Sequence, residues 1–413
     1  MPTINVKNIA ELTAALVDAN AGATINVKAG NYDITQTLVV PKGVSLEGVG
    51  HMQGAYSASG LKPSPQTRLK AAASLTGDIM RLSDGVSLKG LTIEDMPGRK
   101  GNLVAVTSTK AGDRIAVRIK YCELINPNPS GAQPAGPIGR SLLVVTRNPI
   151  EANPPAPHEG AMLTVDMSHS VIRSPGNGSG VFAINFAPRG RVFLQLSRNR
   201  IGGGIDANGG VSRPVPVTGA QTRILSDRNL YVSDGGLPRT GAGWLLHGGS
   251  NPPVAAFVAP YTQGNALIMR SYRDTIRGFE VGVIAAGGWR PLAASGPVSF
   301  NCADIDLDTT TLEDLDSRFV LMGAKAGVAG ATFPPGDDNR LRVTGSPFWT
   351  NGTVPVPELG TSVFRHAATG DGTDLPAAGA GNCLELYGIK FDNGEVGYLE
   401  EFYCGPRFDA SGP

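Results

Sequence analysis

The sequence predicts an all-β protein: a single-stranded right-handed parallel β-helix with a short N-terminal capping helix. Three observations support this fold. Short stretches of alternating apolar and polar residues lie between glycine turns, as in β-strands. A six-residue pattern recurs at intervals of about 30 residues, which is typical of a solenoid. The 413 residues include 55 Gly and 31 Pro, which punctuate short strands more readily than long helices.

The overall charge argues against two classes of partner. The formal net charge is +1, from 36 basic and 35 acidic residues, so no global field favours nucleic acid or an anionic membrane. No apolar run reaches the roughly 18 residues that a membrane helix needs. Residues 1–5 lack the basic segment and apolar run of a signal peptide. We therefore expect a protein that is cytoplasmic, or secreted with its signal removed.

The first element is a short amphipathic helix within residues 8–20. Ile9, Leu12, Ala15 and Leu16 recur at helical spacing. The open end of a solenoid exposes apolar core and unpaired strand edges, and a capping element covers both. We therefore expect residues 1–22 to form an N-terminal helical cap.

Two strand-like segments follow this helix. They read TINVKAGNYDI from Thr24 and LVVPKGVSLEGVG from Leu38. This order of helix and segments resembles the pectate-lyase-like β-helix superfamily, in which the same elements form the cap and the first coil. The resemblance implies the fold and leaves the chemistry open, because lyases, hydrolases, epimerases, phage tailspikes and non-enzymes share it.

The repeated pattern predicts a corner at which one residue of each coil stacks on its equivalent in the next coil. Asn and Asp suit such a corner, because they tolerate left-handed backbone and bond to nearby backbone groups. The six predicted corner residues are Cys122, His169, Asn199, Asn229, Asp274 and Asp304.

The repeat also predicts how one domain, residues 1–413, is organised. Regular coils cover 23–310, with loop insertions near 125–160 and 233–260. Residues 311–413 are expected to form less regular coils and a second cap. Long excursions from a regular coil usually carry function or an interface, so we expect the site beside the middle coils.

An arginine precedes the corner residue in three coils, and these guanidinium groups would stack at coil spacing. Two interpretations stay open. Carboxylates of the protein balance the arginines, or the arginines bind an anionic ligand. Nearby in sequence are Asp206, Asp227 and Asp234. The residues assigned to substrate binding are Arg198, Arg228, Arg273, Asp206, Asp234 and Trp244.

A second constellation is acidic. Asp304, Asp306 and Asp308 share one face of an extended strand. Glycoside hydrolysis uses two carboxylates about 5 to 10 Å apart, and neighbouring coils supply such separations. Solvation of an outward face is the simpler alternative. The residues assigned to catalysis are Asp304, Asp306, Asp227 and His169.

Other residue types give weaker indications. Trp244, Trp289 and Trp349 either stack on a sugar or pack a loop onto the solenoid. His247-Gly248-Gly249 resembles the Gly-His-Gly motif of polygalacturonases. The Asn-x-Asp, Asp-Asp and Arg-x-Lys partners of that motif are not found at suitable places, so we assign His247 no role.

The cysteines show no metal-ligand spacing. Cys122 and Cys302 are expected to be small core residues, and pairing of Cys383 with Cys404 stays open. We predict no metal and no cofactor. A Ca²⁺ ion stays open, although no signature for one is recognisable.

The leading hypothesis is a carbohydrate-active enzyme that acts on an oligosaccharide or polysaccharide as a lyase, a glycoside hydrolase, or a glycosyl or fructosyl transferase. Fold analogy supplies most of this hypothesis. One alternative is a non-catalytic, glycan-binding or structural β-helix, such as a tailspike-like homotrimer. Another is a β-helix enzyme that acts on a small molecule other than a glycan.

Overall fold

The structure is a computed structural model. It describes residues 2–50, 65–128, 139–147, 158–175, 180–212, 215–233, 239, 241–251, 261–291, 296–327, 336–345, 347–350, 363–369, 381–389 and 399–404. In these ranges no helix is long and apolar enough to cross a membrane.

The chain winds repeatedly through three long sheets, here named A, B and C in the order in which each coil visits them. All strand pairs within these sheets are parallel except the last pair of sheet A. The parallel β-helix predicted from the sequence is therefore confirmed.

Sheet A has 13 strands, all within the described residues. They are β1 Thr3–Val6, β2 Thr24–Val27, β5 Ser45–Glu47, β8 Ser87–Lys89, β11 Arg114–Lys120, β14 Met162–Ser168, β17 Arg191–Ser197, β21 Gln221–Asp227, β25 Ala266–Tyr272, β29 Cys302–Asp308, β32 Arg340–Thr344, β35 Cys383–Ile389 and β36 Leu399–Cys404.

Sheets B and C have 10 described strands each. Sheet B contains β3 Gly30–Ile34, β6 Thr67–Ala71, β9 Leu91–Glu94, β12 Glu123–Ile125, β15 Val171–Arg173, β18 Arg200–Gly202, β22 Leu230–Val232, β26 Thr275–Arg277, β30 Thr311–Glu313 and β33 Phe348–Thr350. Sheet C contains β4 Leu38–Val40, β7 Met80–Leu82, β10 Val104–Thr107, β13 Leu142–Val145, β16 Val181–Ile184, β19 Ile205–Asn208, β23 Ala242–Ser250, β27 Val281–Arg290, β31 Ser317–Ala326 and β34 Val363–Thr369. A small fourth sheet contains β20 Val217–Thr218, β24 Thr262–Gln263 and β28 Val298–Ser299.

The predicted helix is present as α1, Ile9–Ala15, followed by a 3-10 turn at Asp18–Asn20. Asn8 is its N-cap, because the Asn8 Oδ1 accepts a 2.8 Å hydrogen bond from the Glu11 backbone N–H. Leu12 is buried in the core of the solenoid. The helix is preceded by β1, which adds a strand to β2 at this end of sheet A.

The core consists of inward side chains that alternate along each strand and stack between coils. In β17, for example, Leu194 is fully buried, and the pairing register places it between Val165 of β14 and Ile224 of β21. This repeated stacking of aliphatic residues removes apolar surface from water along the whole solenoid, which is the main favourable term of folding.

The corner between sheets A and B is present, but its register differs from the prediction. The residues with left-handed backbone are Tyr121, His169, Arg198, Arg228, Arg273 and Thr309, with φ between 50° and 56°. The residues that follow them stack inside the corner: Cys122, Ser170, Asn199, Asn229, Asp274 and Thr310. The predictions for His169 and Asp304 as stacked corner residues were wrong. Ser170 follows the left-handed His169, and the coil after Asp274 reaches the corner only at Thr310.

Hydrogen bonds between coils hold this corner. The Asn229 Oδ1 accepts from the backbone N–H and the Nδ2 of Asn199, both at 2.9 Å. The Asp274 Oδ1 accepts in the same way from Asn229, at 2.7 and 3.1 Å. Each side chain therefore satisfies buried donors of the preceding coil, which lowers the cost of burying polar groups.

A second ladder, made of asparagine side chains and not predicted from the sequence, lies just before the strands of sheet A. Its members are Asn265, Asn301, Asn339 and Asn382, and each accepts hydrogen bonds from the one before it. The glycines of sheet C make room for it, since a β-carbon on Gly249 would lie 2.4 Å from the Asn301 side chain.

The cysteines divide into two kinds. Cys383 is disulfide-bonded, and the backbone of Cys404 lies opposite it in the antiparallel pair of β35 and β36. Cys122 is a free thiol in the core, as expected. Cys302 is free but only half-buried, so the expectation that it is a core residue was wrong.

The buried carboxyl of Asp274 in this corner leads to a prediction about how stability depends on pH. Burial raises the pKa of Asp274 to about 6 from an ordinary 3.8, so the folded protein holds a proton that the unfolded chain releases between about pH 4 and 6. The protonated Asp274 carboxyl therefore contributes its full stabilisation below pH 3.8, the pKa of the unfolded chain, and this stabilisation is lost as pH rises through about 6, the pKa of the folded protein.

We expect Asp274→Asn, which extends the amide ladder, to gain free energy of unfolding relative to the unmodified protein as pH rises across this window. The gain reaches up to about 3 kcal/mol above pH 6. Urea denaturation at pH 4, 5, 6 and 7 measures it. Asp308→Asn, on the exposed end of β29, is the matched control. A difference that does not depend on pH would contradict the expectation.

Candidate functional site

The outer face of sheet C carries charged groups in apolar surroundings. One row of outward residues runs across neighbouring strands as Phe182, Asp206, Leu245 and Ile284, all half-buried. A second row contains Ile184, Asn208, His247, Ala286 and Met322. Further along these strands, Trp289 of β27 and Lys325 of β31 are register partners. We call these residues, together with Arg140, the C face.

Asp206 lies between two apolar neighbours, Phe182 and Leu245. Burial raises the pKa of its carboxyl to about 6, although the charges of Arg140 and Lys325 oppose the shift. A carboxyl group with this pKa is largely ionised at neutral pH and is still basic enough to take a proton.

Lys325 is the second perturbed group. Its side chain is almost fully buried, and this burial lowers the pKa of the ammonium group to about 8, against the opposing charge of Asp206. The Nζ lies 5.0 Å from the centroid of the Trp289 ring, which stabilises the charged form by a cation–π contact. At neutral pH this ammonium is mostly protonated and readily gives up its proton.

His247 packs on the same tryptophan. The two ring centroids are 4.8 Å apart, and the planes are nearly parallel at 24°. Burial, and then the charge of Lys325, hold the pKa of His247 well below its ordinary value. The imidazole is therefore neutral.

Among the described residues, several buried polar atoms of the C face have no hydrogen-bond partner. They are both ring nitrogens of His247, the Asn208 Oδ1 and the Trp289 Nε1. Buried polar atoms are normally satisfied, so these atoms offer donors and acceptors to a bound molecule.

Arg140 supplies a second cation. Its guanidinium lies 4.4 Å from the centroid of the Phe182 ring. Phe182 is the register neighbour of Asp206 in the preceding coil. Burial lowers the pKa of Arg140, and the charge of Asp206 opposes this effect. The C face thus combines a carboxylate with an ammonium and a guanidinium that each lie within electrostatic range of it, an arrangement that is frequent at functional sites.

The loop insertions predicted from the sequence flank two strands of this sheet in chain order. The first interrupts the chain before and after β13, and the second before and after β23. Most of their residues, 129–138, 148–157, 234–238 and 252–260, lie outside the described residues.

The acidic residues predicted from the sequence lie elsewhere. Asp304, Asp306 and Asp308 do share one side of β29, but that strand belongs to sheet A. The Arg270 Nη2 donates a 2.8 Å hydrogen bond to the Asp304 Oδ2, and Arg270 is also the register neighbour of Asp306. Asp304 and Asp306 are therefore part of a charge pairing with Arg270 of the neighbouring coil, and all three carboxylates lie on a different sheet from Asp206.

The other predicted site residues divide between the corner and the C face. Asp227 and His169 lie at the corner between sheets A and B, as do Arg198, Arg228 and Arg273. Asp206 belongs to the C face and does not balance these arginines, contrary to one of the two interpretations. Asp227 lies beside Arg228, with 3.6 Å between Oδ1 and Nε. Asp234 lies outside the described residues.

The tryptophans also separate. Trp244 is fully buried in the solenoid core, edge-on to Tyr231 at 5.4 Å. The expectation that it stacks on a substrate was wrong, because no surface of its ring reaches the outside. Trp289 belongs to the C face. The side chain of Trp349 lies outside the described part of the chain.

Comparisons with known proteins add little to this geometry. No family model matches the chain, and no curated protein matches it. Among solved structures it is similar to the pectin methylesterase from Aspergillus niger, with 10% identity and a TM-score of 0.28 over 86% of each chain. The description of the fold therefore depends on the strand pairing, and that of the site on its own residues.

The burial of Lys325 leads to a test. Its folded-state pKa of about 8 lies below the ordinary 10.5, so the buried ammonium destabilises the protein at pH 7, and stability is regained as pH rises from about 8 to 10.5. We expect Lys325→Met to increase the free energy of unfolding at pH 7 by up to about 3 kcal/mol, and by less at pH 10.

Denaturant unfolding at the two pH values measures this difference. Lys42→Met, at a side chain that is 75% exposed, is the control and should change little at either pH. Destabilisation by Lys325→Met at pH 7 would show that the ammonium contributes favourably to folding and would contradict the expectation.

Proposed function

We propose that the C face is the active site of a polysaccharide lyase that acts on a glycan containing uronate residues. One observation carries the proposal. A carboxyl with a raised pKa and an ammonium with a lowered pKa share an apolar, half-buried surface with a guanidinium. Elimination from a uronate needs these three kinds of group: a base, an acid and a cation that neutralises the substrate carboxylate.

In the proposed reaction, the Asp206 carboxylate removes the proton α to the carboxylate of the bound uronate. The electron pair of that C–H bond moves toward the substrate carboxylate, where the guanidinium of Arg140 stabilises the developing charge. The pair then forms a carbon–carbon double bond as the glycosidic C–O bond breaks. The Lys325 ammonium gives its proton to the leaving oxygen. Proton exchange with water restores both groups.

A lyase is favoured over a glycoside hydrolase by the number of carboxylates. Glycoside hydrolysis generally uses two, whereas Asp206 is the carboxylate that the described residues bring to the C face.

A purely binding role is less well supported. Binding of sugars by stacking needs open aromatic faces, but His247 and Lys325 pack on Trp289, and Arg140 packs on Phe182. The aromatic rings of the C face thus position charged groups. This arrangement favours chemistry over passive recognition.

Replacement of Asp206 tests the site directly. We expect Asp206→Asn to lower activity at least 100-fold, since general base catalysis contributes about 10²- to 10⁴-fold. Asp304→Asn, the same change on the outer face of sheet A, is the matched control and should keep most of the activity. The assay follows the absorbance of unsaturated products and the release of reducing ends from polyuronates and neutral glycans.

The results separate the hypotheses. Reducing ends without unsaturated products would indicate a hydrolase in place of a lyase. Loss of activity in Asp304→Asn with full activity in Asp206→Asn would move the site to sheet A. No turnover of any glycan by the unmodified protein would refute the proposal.

The pH profile provides an independent test. With Asp206 as base and Lys325 as acid, kcat/KM should rise through about pH 6 and fall through about pH 8. Lys325→Arg should lower kcat/KM and remove the alkaline limb near pH 8, because a guanidinium does not lose its proton in this range and so neither titrates nor serves as the acid. An alkaline limb that stays in place would exclude Lys325 as the acid.

A further inference from the structure

We infer that the corner between sheets A and B is a second binding site, which holds a single extended polyanionic glycan chain. The site consists of Arg198, Arg228 and Arg273 together with their neighbours Lys120 and His169; we call it the arginine corner. It lies where sheet A passes into sheet B, and sheet C takes no part in it. The inference does not depend on the proposed reaction at the C face.

The arginines are stacked by the backbone. The Arg198 N–H donates to the carbonyl of Asp227, and the Arg228 N–H donates to that of Tyr272, both at 2.9 Å. These bonds link each arginine turn to the next coil. The backbone of the three arginines is therefore stacked at a coil spacing of about 4.8 Å.

The chain places these side chains in an unfavourable backbone conformation. All three arginines have φ near 55°, a region that glycine adopts without strain and that other residues usually avoid. The opposite corner, where sheet C leads into sheet A, contains left-handed positions of the same kind. Glycine is found there at Gly112, Gly160, Gly219, Gly264 and Gly381, and other residues at Arg189, Phe300 and Asp338.

The contrast between the two corners is informative because the backbone requirement is the same. From Tyr121 to Thr309 no described left-handed position of the corner between sheets A and B is a glycine, although Gly90 occupies this position one coil earlier. Backbone strain that is kept in order to place a particular side chain is typical of functional positions. The turn alone therefore does not account for an arginine in three successive coils.

The electrostatic environment of the corner is positive. Desolvation, the charge of Arg198 and the charge of Lys120 all lower the pKa of His169. One carboxylate opposes this field closely, since Asp227 lies 3.6 Å from Arg228, beyond hydrogen-bond distance. Arg273 packs over the ring of Tyr272, at 4.8 Å, which leaves its N–H groups available to an anion.

The geometry favours a glycan over a nucleic acid. One cation per coil suits a single chain that carries one carboxylate or sulfate per unit. Single-stranded nucleic acids also use open aromatic faces for base stacking. Here Arg273 covers Tyr272, and His169 packs beside Tyr121 with ring centroids 5.3 Å apart.

The test compares two triple variants with the same loss of charge. One is Arg198→Gln/Arg228→Gln/Arg273→Gln at the arginine corner. The control is Arg114→Gln/Arg189→Gln/Arg191→Gln at the opposite corner, where Arg189 is also left-handed. Titration calorimetry with polygalacturonate, a sulfated glycan, a neutral glucan and single-stranded DNA measures binding at several salt concentrations. Circular dichroism confirms that both variants fold.

We expect the unmodified protein to bind the two anionic glycans but not the neutral glucan, with an affinity that falls as salt rises. The arginine-corner variant should bind at least tenfold more weakly, with a flatter salt dependence, and the control should stay within twofold. Preference between polygalacturonate and the sulfated chain identifies the anion.

Three results would overturn the inference: no binding of either anionic glycan, an equal loss in both triple variants, or equal affinity for DNA. The sulfated glycan is not a substrate of the proposed reaction, so its titration reports on the arginine corner, whereas unsaturated products from polyuronates report on the C face. Failure of the proposed reaction and failure of this site are therefore distinguishable.

Discussion

The hydrogen bonds between equivalent side chains of successive coils are the interaction on which the rest of the structure depends. Asn229 accepts from Asn199 and donates to Asp274, so each coil is held at one register against the next. A slip by one residue would leave buried amide groups unpaired and would turn every inward side chain of the strand outward. The ladder of Asn265, Asn301 and Asn339 applies the same constraint at the N-terminal ends of the sheet A strands.

A fixed register makes the outer surfaces as ordered as the core. It brings Asp206 between Phe182 and Leu245, and it brings Lys325 beside Trp289. Burial of these charges costs stability, and the described residues offer them no closer compensation than one another and Arg140. Such groups are typically kept where their altered proton affinity is used.

Charged side chains are arranged differently on sheet A, at the corner between sheets A and B, and on sheet C. On sheet A, carboxylates and arginines of neighbouring coils pair directly, as Arg270 and Asp304 do. At the corner between sheets A and B, arginines are stacked with fewer opposing carboxylates. On sheet C, opposite charges share apolar surroundings without the short contact seen between Arg270 and Asp304. Among the described residues, the arrangement on sheet C is the one that shifts the pKa values of both a carboxyl and an ammonium toward neutrality, because desolvation outweighs pairing there.

The sequence by itself determined the features that depend on local pattern. The helix after Asn8, the alternation of the strands, and the stacking of Arg198, Arg228 and Arg273 all follow from spacing within one or two coils. Coils of unequal length account for the two errors in the corner. Ser170 lies 48 residues after Cys122 and Thr310 lies 36 residues after Asp274, whereas the predicted intervals to His169 and Asp304 were 47 and 30 residues. Only the tertiary structure brought Asp206, His247 and Lys325 together. They are far apart in the chain, no motif links them, and their chemistry arises from burial on a shared face that a single strand's sequence does not reveal.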